Sequence, residues 1–541
     1  MKQTVVYECP GGTPFSVEWP DVEMARYSWR WDQVKNPLPL TPLSQDFFNT
    51  KREGMARAAR QTGRPADSER IFVNGYAFAR PVEPSADEAE RYSTIAERDA
   101  ESRIDRLLEL WETTYLPEAE ALTGSLRGWA GPDDSLIDLA GRWGEVESIS
   151  RRLGELHTFS TGLISLAMRQ FEDLCRNEFA VDGEQIAREA VAGMPNMSIK
   201  SAEALWELSR RALERPAVAS LIRSSAPELL AAQLEGVDRG GEFREILHEF
   251  LEEYGHRNES FFEISFPTWR EEPRFVVSAV RSFLDVPDDR SPRLMHERVA
   301  ERREATTEEA LLRLASEEKA VAFLASQRRA QQYTVLMEDH NYYIDQRGHS
   351  GLRAPCLAVA ARLVSAGAIA QVSDVFYLHG AEIREAAGHC SGGRPGDGWK
   401  AIAASRRANR DVWLGVLPPT AIGGEPAGAW DASEDDVVRG IAASAGVATG
   451  RARVVLTLDD IDRLAPGDVL VTYATAPPWT VVFGYAAAVV TDAGGPLSHC
   501  AVVAREYGIP AVVGAPGATS RIRDGMLIAV DGSEGVVRLI G

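Results

Sequence analysis

TDAGGPLSHCAVVAREYGIPAVVG, residues 491–514 of a 541-residue chain, packs more chemistry into two dozen positions than any other stretch. The apolar run AAAVVTD, residues 486–492, ends on polar residues, as a buried parallel strand does where it leaves its sheet. A loop is expected next. Gly494 and Gly495 open backbone conformations closed to residues with a Cβ, so their N–H groups are able to converge on an anion, and Pro496 stiffens the turn. From Ser498 onward, apolar and polar positions alternate with helical spacing, which places Ser498 at a cap and His499 in the first turn. The positive end of the helix dipole favours neutral imidazole there, and neutral imidazole is a nucleophile. Taken alone, Gly-Gly also reads as an ordinary turn and His499 as an ordinary residue near a helix end.

Around this stretch the composition sets bounds. A chain of 541 residues is too long for one ordinary domain. Its 44% hydrophobic and 26% charged content is that of globular proteins. The net charge of −21 argues against nucleic acid or an anionic membrane as the main partner, because both would repel it. The N-terminus lacks the apolar core of a signal peptide and no run of apolar residues is long enough to span a bilayer, so a cytoplasmic location is expected. Five cysteines without CxxC spacing indicate neither a disulfide framework nor a zinc site, and no metal site is expected in this chain. Cys500, beside His499, reads either as an oxidisable thiol or as a small apolar helix residue.

Texture divides the chain further. Residues 15–48 carry prolines at 37, 39 and 42 and anchors at Trp29, Trp31 and Phe47, so residues 1–50 read as an extended arm before the first long helix. Residues 51–415 read as a helical domain, rich in Ala, Leu, Glu and Arg with apolar residues recurring at three and four. Glycine and proline then replace helix formers in LPPTAIGGEPAGAWDA, a hinge linker assigned to residues 416–432. Short strands and glycine-rich turns fill residues 433–541, and DGMLIAVDGSEGVVRLIG closes them as a hairpin. The fold class is thus multidomain: a mainly α-helical domain followed by a small β/β/α domain with the His499 loop at its rim.

The string Gly494, Gly495, Ser498, His499, Ala504, Arg505, Gly508, Ile509, Pro510 and Ala511 resembles the phosphohistidine motif of the swivelling mobile domain in phosphoenolpyruvate-utilising enzymes. Within that family the resemblance is to rifampin phosphotransferase and phenylphosphate synthase. Leu497 stands where many members have threonine, and Cys500 where alanine or serine is usual. The resemblance implies a phosphoryl group carried on His499, with Gly494, Gly495, Ser498, Thr475 and Arg505 around the phosphate. The tryptophan- and proline-rich arm resembles the start of the family's substrate domain, with Lys35 where relatives carry histidine, so no catalytic role passes to that position.

Two places in the helical body look chemical. In YGHRN a helix ends on Gly255, and His256 and Arg257 follow; the pair reads as a general base with a phosphate clamp, or as a helix C-cap. The resemblance raises the first reading, so His256 and Arg257 join His499 as candidate catalytic residues. The second place holds Glu338, His340 and Arg353, which read as possible substrate-domain residues or as core packing with a buried ion pair.

A phosphohistidine is only a carrier, so it needs a donor and an acceptor. No ATP-grasp pattern precedes the helical body, and the resemblance to phenylphosphate synthase implies that ATP and magnesium sit on a separate ATP-grasp subunit, with no cofactor bound by this chain. The expected enzyme is a dikinase-type phosphotransferase subunit acting on a small, phenol-like hydroxyl compound. An antibiotic phosphotransferase component and a non-catalytic phosphohistidine relay are the alternatives.

Overall fold

A computed structural model describes residues 3–9, 12–64, 68–97, 100–258, 260, 262–392, 398–424, 437–475, 479–496 and 498–540. The chain folds into two compact units. One comprises residues 1–162, 260–266 and 343–433; the other comprises residues 163–259, 267–342 and 434–541. The helical span expected at 51–415 is therefore shared between both units. Among the described residues no helix is long and apolar enough to cross a membrane.

The first unit begins with β structure. Gln3–Glu8 pairs antiparallel with Pro14–Trp19, whose alternation turns Phe15, Val17 and Trp19 inward. A four-stranded antiparallel sheet runs in the order Ser68–Val73, Tyr76–Pro81, Trp29–Trp31 and Ala421–Ile422. Its aromatic core includes Trp19, Trp29, Trp31, Tyr76 and Phe78. Of the three aromatic anchors of the expected arm, Trp29 and Trp31 are thus sheet residues, which periodicity over only three residues does not announce, and Phe47 belongs to a helix. The first long helix, Pro42–Gln61, starts with proline at its N-terminus, where no N–H is needed.

That helix crosses Trp143–Thr161 through a pair of glycines. A Cβ on Gly54 would lie 1.8 Å from the Arg151 carbonyl oxygen, and one on Gly154 would lie 2.0 Å from that of Lys51. Only hydrogen fits at either place. The residues 260–266 return to this unit because Glu263, 1% exposed, needs donors. It receives them from the Thr41 N–H (2.6 Å), the Thr41 and Ser44 hydroxyls (both 2.8 Å) and the Ser265 N–H (2.9 Å). The expected hinge enters the same unit: Ile422 pairs with Trp29, Gly423 N–H donates to the Tyr7 hydroxyl at 2.7 Å, and the Tyr76 hydroxyl donates to the Val416 carbonyl. Residues 416–424 are accordingly packed, and residues 425–436 lie outside the described residues.

The second unit joins a helical lobe to the C-terminal domain. The lobe includes the helices Ile164–Phe179, Gly183–Glu189, Met197–Leu213, Gly240–Tyr254, Arg274–Leu284, Pro292–Arg313 and Glu317–His340. The C-terminal domain is built on an eight-stranded mixed sheet. Its centre is parallel, with Val447–Val454, Val469–Thr472, Ala488–Thr491 and Ala511–Val513 adjacent in that order. All four residues of Ala488–Thr491 are buried, as the apolar run requires. The C-terminal hairpin pairs Leu527–Asp531 with Val536–Leu539 and continues the sheet through Val447–Val454.

Candidate functional site

The site grows from the end of the strand Ala488–Thr491. Gly494 adopts φ +133°, a conformation that disfavours a side chain, and a Cβ there would press to 3.0 Å from the Ser498 Oγ. Gly495 takes an ordinary backbone, with nothing within 4 Å of the place its Cβ would occupy. Open space therefore lies beside Gly495. Ser498 then caps the helix His499–Tyr507, its hydroxyl accepting from the Ala501 N–H at 3.4 Å. His499 is the first residue of that helix, as its position after the serine predicts.

The imidazole is not at a solvent-facing rim. Its side chain is 7% exposed, and Nδ1 lies 3.4 Å from Oε2 of Glu338, at the end of the helix Glu317–His340. The same carboxylate oxygen accepts the Ser198 hydroxyl at 2.7 Å. Burial pushes the Glu338 carboxyl up, but the nearby His499, the hydrogen bond from Ser198 and the nearby His340 together hold it below the ordinary carboxylate range. A carboxylate this close to Nδ1 favours the tautomer that carries its proton on that nitrogen, which puts the lone pair on Nε2. Nε2 lies 3.3 Å from the Thr480 hydroxyl, and Phe483 stands edge-on to the ring.

Thr475 and Arg505 support the loop from behind. The Arg505 guanidinium donates to the carbonyls of Ala443 (3.0 Å) and Pro496 (2.8 Å), which ties the helix to the exit of the glycine turn. Thr475 is buried and meets the Cys500 thiol, which burial pushes up to about 12. Cys500 is thus a neutral, enclosed thiol, the small apolar residue of the two readings.

His256 and Arg257 follow the Gly255 cap, and both are buried, at 5% and 1% exposure. The His256 ring packs edge-on against Tyr342, with centroids 4.7 Å apart. Arg257 donates to the Ser201 hydroxyl at 2.6 Å and to the Met197 carbonyl at 3.3 Å, between the rings of Trp269 and Tyr342. Burial pushes its guanidinium down to about 10. Arg257 thus braces the first turns of Met197–Leu213, the helix that also supplies Ser198. His340 is buried, and its Nδ1 meets the Leu336 carbonyl at 2.9 Å. Arg353 belongs to the other unit, where it donates to the Ile264 and Ser265 carbonyls at 2.8 and 2.9 Å and covers Phe376.

Of the candidates, the structure brings Glu338 directly to His499. Sequence reasoning passed over Ser198 and Thr480. Ser198 follows the Asn196 cap, whose side chain accepts from the Ser198 and Ile199 N–H groups, so its only local signal is that of a helix start. Its link to Glu338, 140 residues away in sequence, leaves no local trace.

Residues 464–535 match the family of the PEP-utilising enzyme mobile domain, and residues 157–338 match the rifampicin phosphotransferase fourth domain. The chain carries a PEP-utilising mobile domain. Glu338 is the last residue of the second match, and His499 lies in the first. Over 98% of its length the chain is 33% identical to a segment making up 14% of chondramide synthase from Chondromyces crocatus. It is 32% identical over 65% of its length to 43% of the uncharacterized phosphotransferase YvkC of Bacillus subtilis. A rifampicin phosphotransferase of Streptomyces sviceus is 30% identical over 64% of the chain and 40% of the relative. The chain spans less than half the length of each of these proteins.

Proposed function

We propose that this chain is the carrier and acceptor part of a phosphotransferase in which Nε2 of His499 holds the phosphoryl group. The observation that carries the reading is the Glu338 carboxylate 3.4 Å from Nδ1 at the start of a helix behind a glycine turn. Phosphorylated on Nε2 with its Nδ1 proton kept by Glu338, the ring is a cation that departs as neutral imidazole. The acceptor oxygen forms the new O–P bond as the P–Nε2 bond breaks, and its proton passes to a neighbouring base. Such transfer depends on positioning and charge neutralisation more than on covalent work by the protein. The glycine-turn N–H groups and the helix start supply donors for the phosphoryl oxygens.

The donor we propose is ATP with magnesium, bound by a separate ATP-grasp subunit, and the acceptor a small hydroxylated compound, aromatic by the family resemblance. A second reading of the acceptor comes from the near-complete match to a segment of chondramide synthase. On that reading the hydroxyl belongs to an intermediate of a biosynthetic assembly. The test is ATP consumption by the chain with its ATP-binding partner. Turnover that requires an added phenol or alcohol supports the reading, whereas turnover with protein acceptors alone overturns it.

A further inference from the structure

The helix His499–Tyr507 carries a second titratable group into the helical lobe. Glu506 is 2% exposed, and its Oε2 lies 3.6 Å from Nε2 of His296, itself 14% exposed, on the helix Pro292–Arg313. Neither of these two atoms has a hydrogen-bond partner among the described residues. The seat is nonetheless built. Gly193 N–H bonds the Glu506 carboxyl, and the His296 ring bonds the Met194 backbone. Gly193 itself, at φ +67°, is pressed onto the same helix: a Cβ there would lie 2.7 Å from the Ala300 nitrogen. Arg303 fixes the turn by donating to the Ala192 and Gly193 carbonyls.

A carboxylate facing the lone pair of a neutral imidazole, both out of water, is repulsive. One proton between them removes the repulsion, whether it is written as acid and imidazole or as carboxylate and imidazolium. The surrounding charges do not replace it. Arg505, on Glu506's own helix, is engaged by Ala443 and Pro496, and Arg303 by the turn carbonyls. Arg188 of Gly183–Glu189 lines the adjoining cavity and lies 3.8 Å from Glu184. Glu297 beside His296 and Glu338 from Glu317–His340 each add negative charge. In water at neutral pH, by contrast, Glu506 is ionised and His296 mostly neutral, one proton fewer.

We propose that Glu506 and His296 are positioning residues for phosphotransfer: a proton shared between them latches the mobile domain onto the helical lobe, so docking His499 beside Glu338 takes up one proton. The proposal rests on the carrier reading above, for only a domain that leaves and returns needs a latch. Burial, the largest influence on Glu506, pushes its carboxyl up to about 8. The docked state therefore binds the proton more tightly than the free one, and docking is favoured below that value and lost as pH rises through it. Below about 6.5 the free His296 carries the proton and the dependence levels off.

The test is the distance between spin labels at Glu228→Cys in the lobe and Glu534→Cys in the mobile domain, both exposed, in the whole 541-residue chain with Cys390→Ser. The ratio of docked to undocked protein is expected to fall by up to about tenfold per pH unit between about 6.5 and 8, the dependence for one linked proton. Glu506→Gln, whose amide donates to His296 without titrating, should keep the docked population and flatten that dependence. His296→Gln should flatten it too. In turnover, Glu506→Gln should remove the alkaline fall in kcat/KM. A docked fraction that ignores pH in the unaltered protein, or titrates equally in Glu506→Gln, overturns the proposal. If docking titrates and His499 is never phosphorylated, the latch stands and the carrier reading alone fails.

Discussion

Each compact unit holds a buried carboxylate against an imidazole, and the two are stabilised differently. In the first unit Asp345 meets His157 Nδ1 at 2.9 Å and the Lys51 ammonium at 2.7 Å. In the second, Glu338 meets His499 at 3.4 Å and a serine hydroxyl at 2.7 Å. Asp345 is tied to a lysine on the helix that crosses Trp143–Thr161 through paired glycines, so its charge is neutralised by the scaffold itself. Glu338 depends on a histidine delivered by a separate sheet domain. A carboxylate with a built-in cation holds a fold together, whereas one whose partner arrives on another domain is suited to receive a charged carrier.

That contrast breaks most readily at the carrier. His499→Asn should abolish phosphorylation of the chain, a loss of at least about 1,000-fold in turnover; labelling that survives removes His499 from the chemistry. Lys51→Met should instead cost up to about 3–5 kcal/mol in denaturant unfolding, because it takes the ammonium away from a buried carboxylate, with no specific loss of phosphate transfer by the folded fraction. Glu338→Gln tests the other half. It should lower kcat by about 100-fold and leave stability little changed, since the amide fills the same space beside Ser198. Removal of the Ser198 hydroxyl in Ser198→Ala is expected to cost about 1.5–3 kcal/mol of the charged hydrogen bond, read as a fall in kcat and a shift of its acid limb to higher pH.

The acid limb has a definite sign. Glu338 is held below its ordinary range in the docked state, so its ionised contribution is complete above the unfolded value and fades as pH falls through the lowered one. The first unit has an acid weakness of another kind. His349 lies between Phe262 and Lys51 in a small cavity, and burial pushes its imidazole down to about 4. The folded state thus excludes a proton that the unfolded chain accepts, and stability should decline from about pH 6.5 toward 4. His349→Phe should lessen that decline, measured as denaturant midpoints at pH 7 and pH 5.

Local patterns carried the C-terminal domain well and the site only by halves. The strand before the glycines, the Ser498 cap, the helix from His499 and the closing hairpin each have a signature within a few residues. The partner of His499 has none, since Glu338 is 161 positions earlier and its pairing is tertiary. Glu338 was legible as a chemistry-bearing residue without the histidine it meets. The aromatic arm hid a sheet because the strand Trp29–Trp31 is short and pairs with residues 78–79 and 421–422, far along the chain. His256 and Arg257 follow a helix end in sequence; the segment that buries them returns as Trp269 and Arg270, whose N–H groups bond the Arg257 and Gly255 carbonyls at 2.8 and 2.9 Å.

The most direct test is which atom takes phosphate. Protein labelled with 15N-histidine and treated with potassium phosphoramidate should give a phosphorus–nitrogen coupling to Nε2 of a single ring, absent in His499→Asn, with discharge accelerated by an added phenol. Coupling to Nδ1 of His499, or a spectrum unchanged by His499→Asn, would contradict the account.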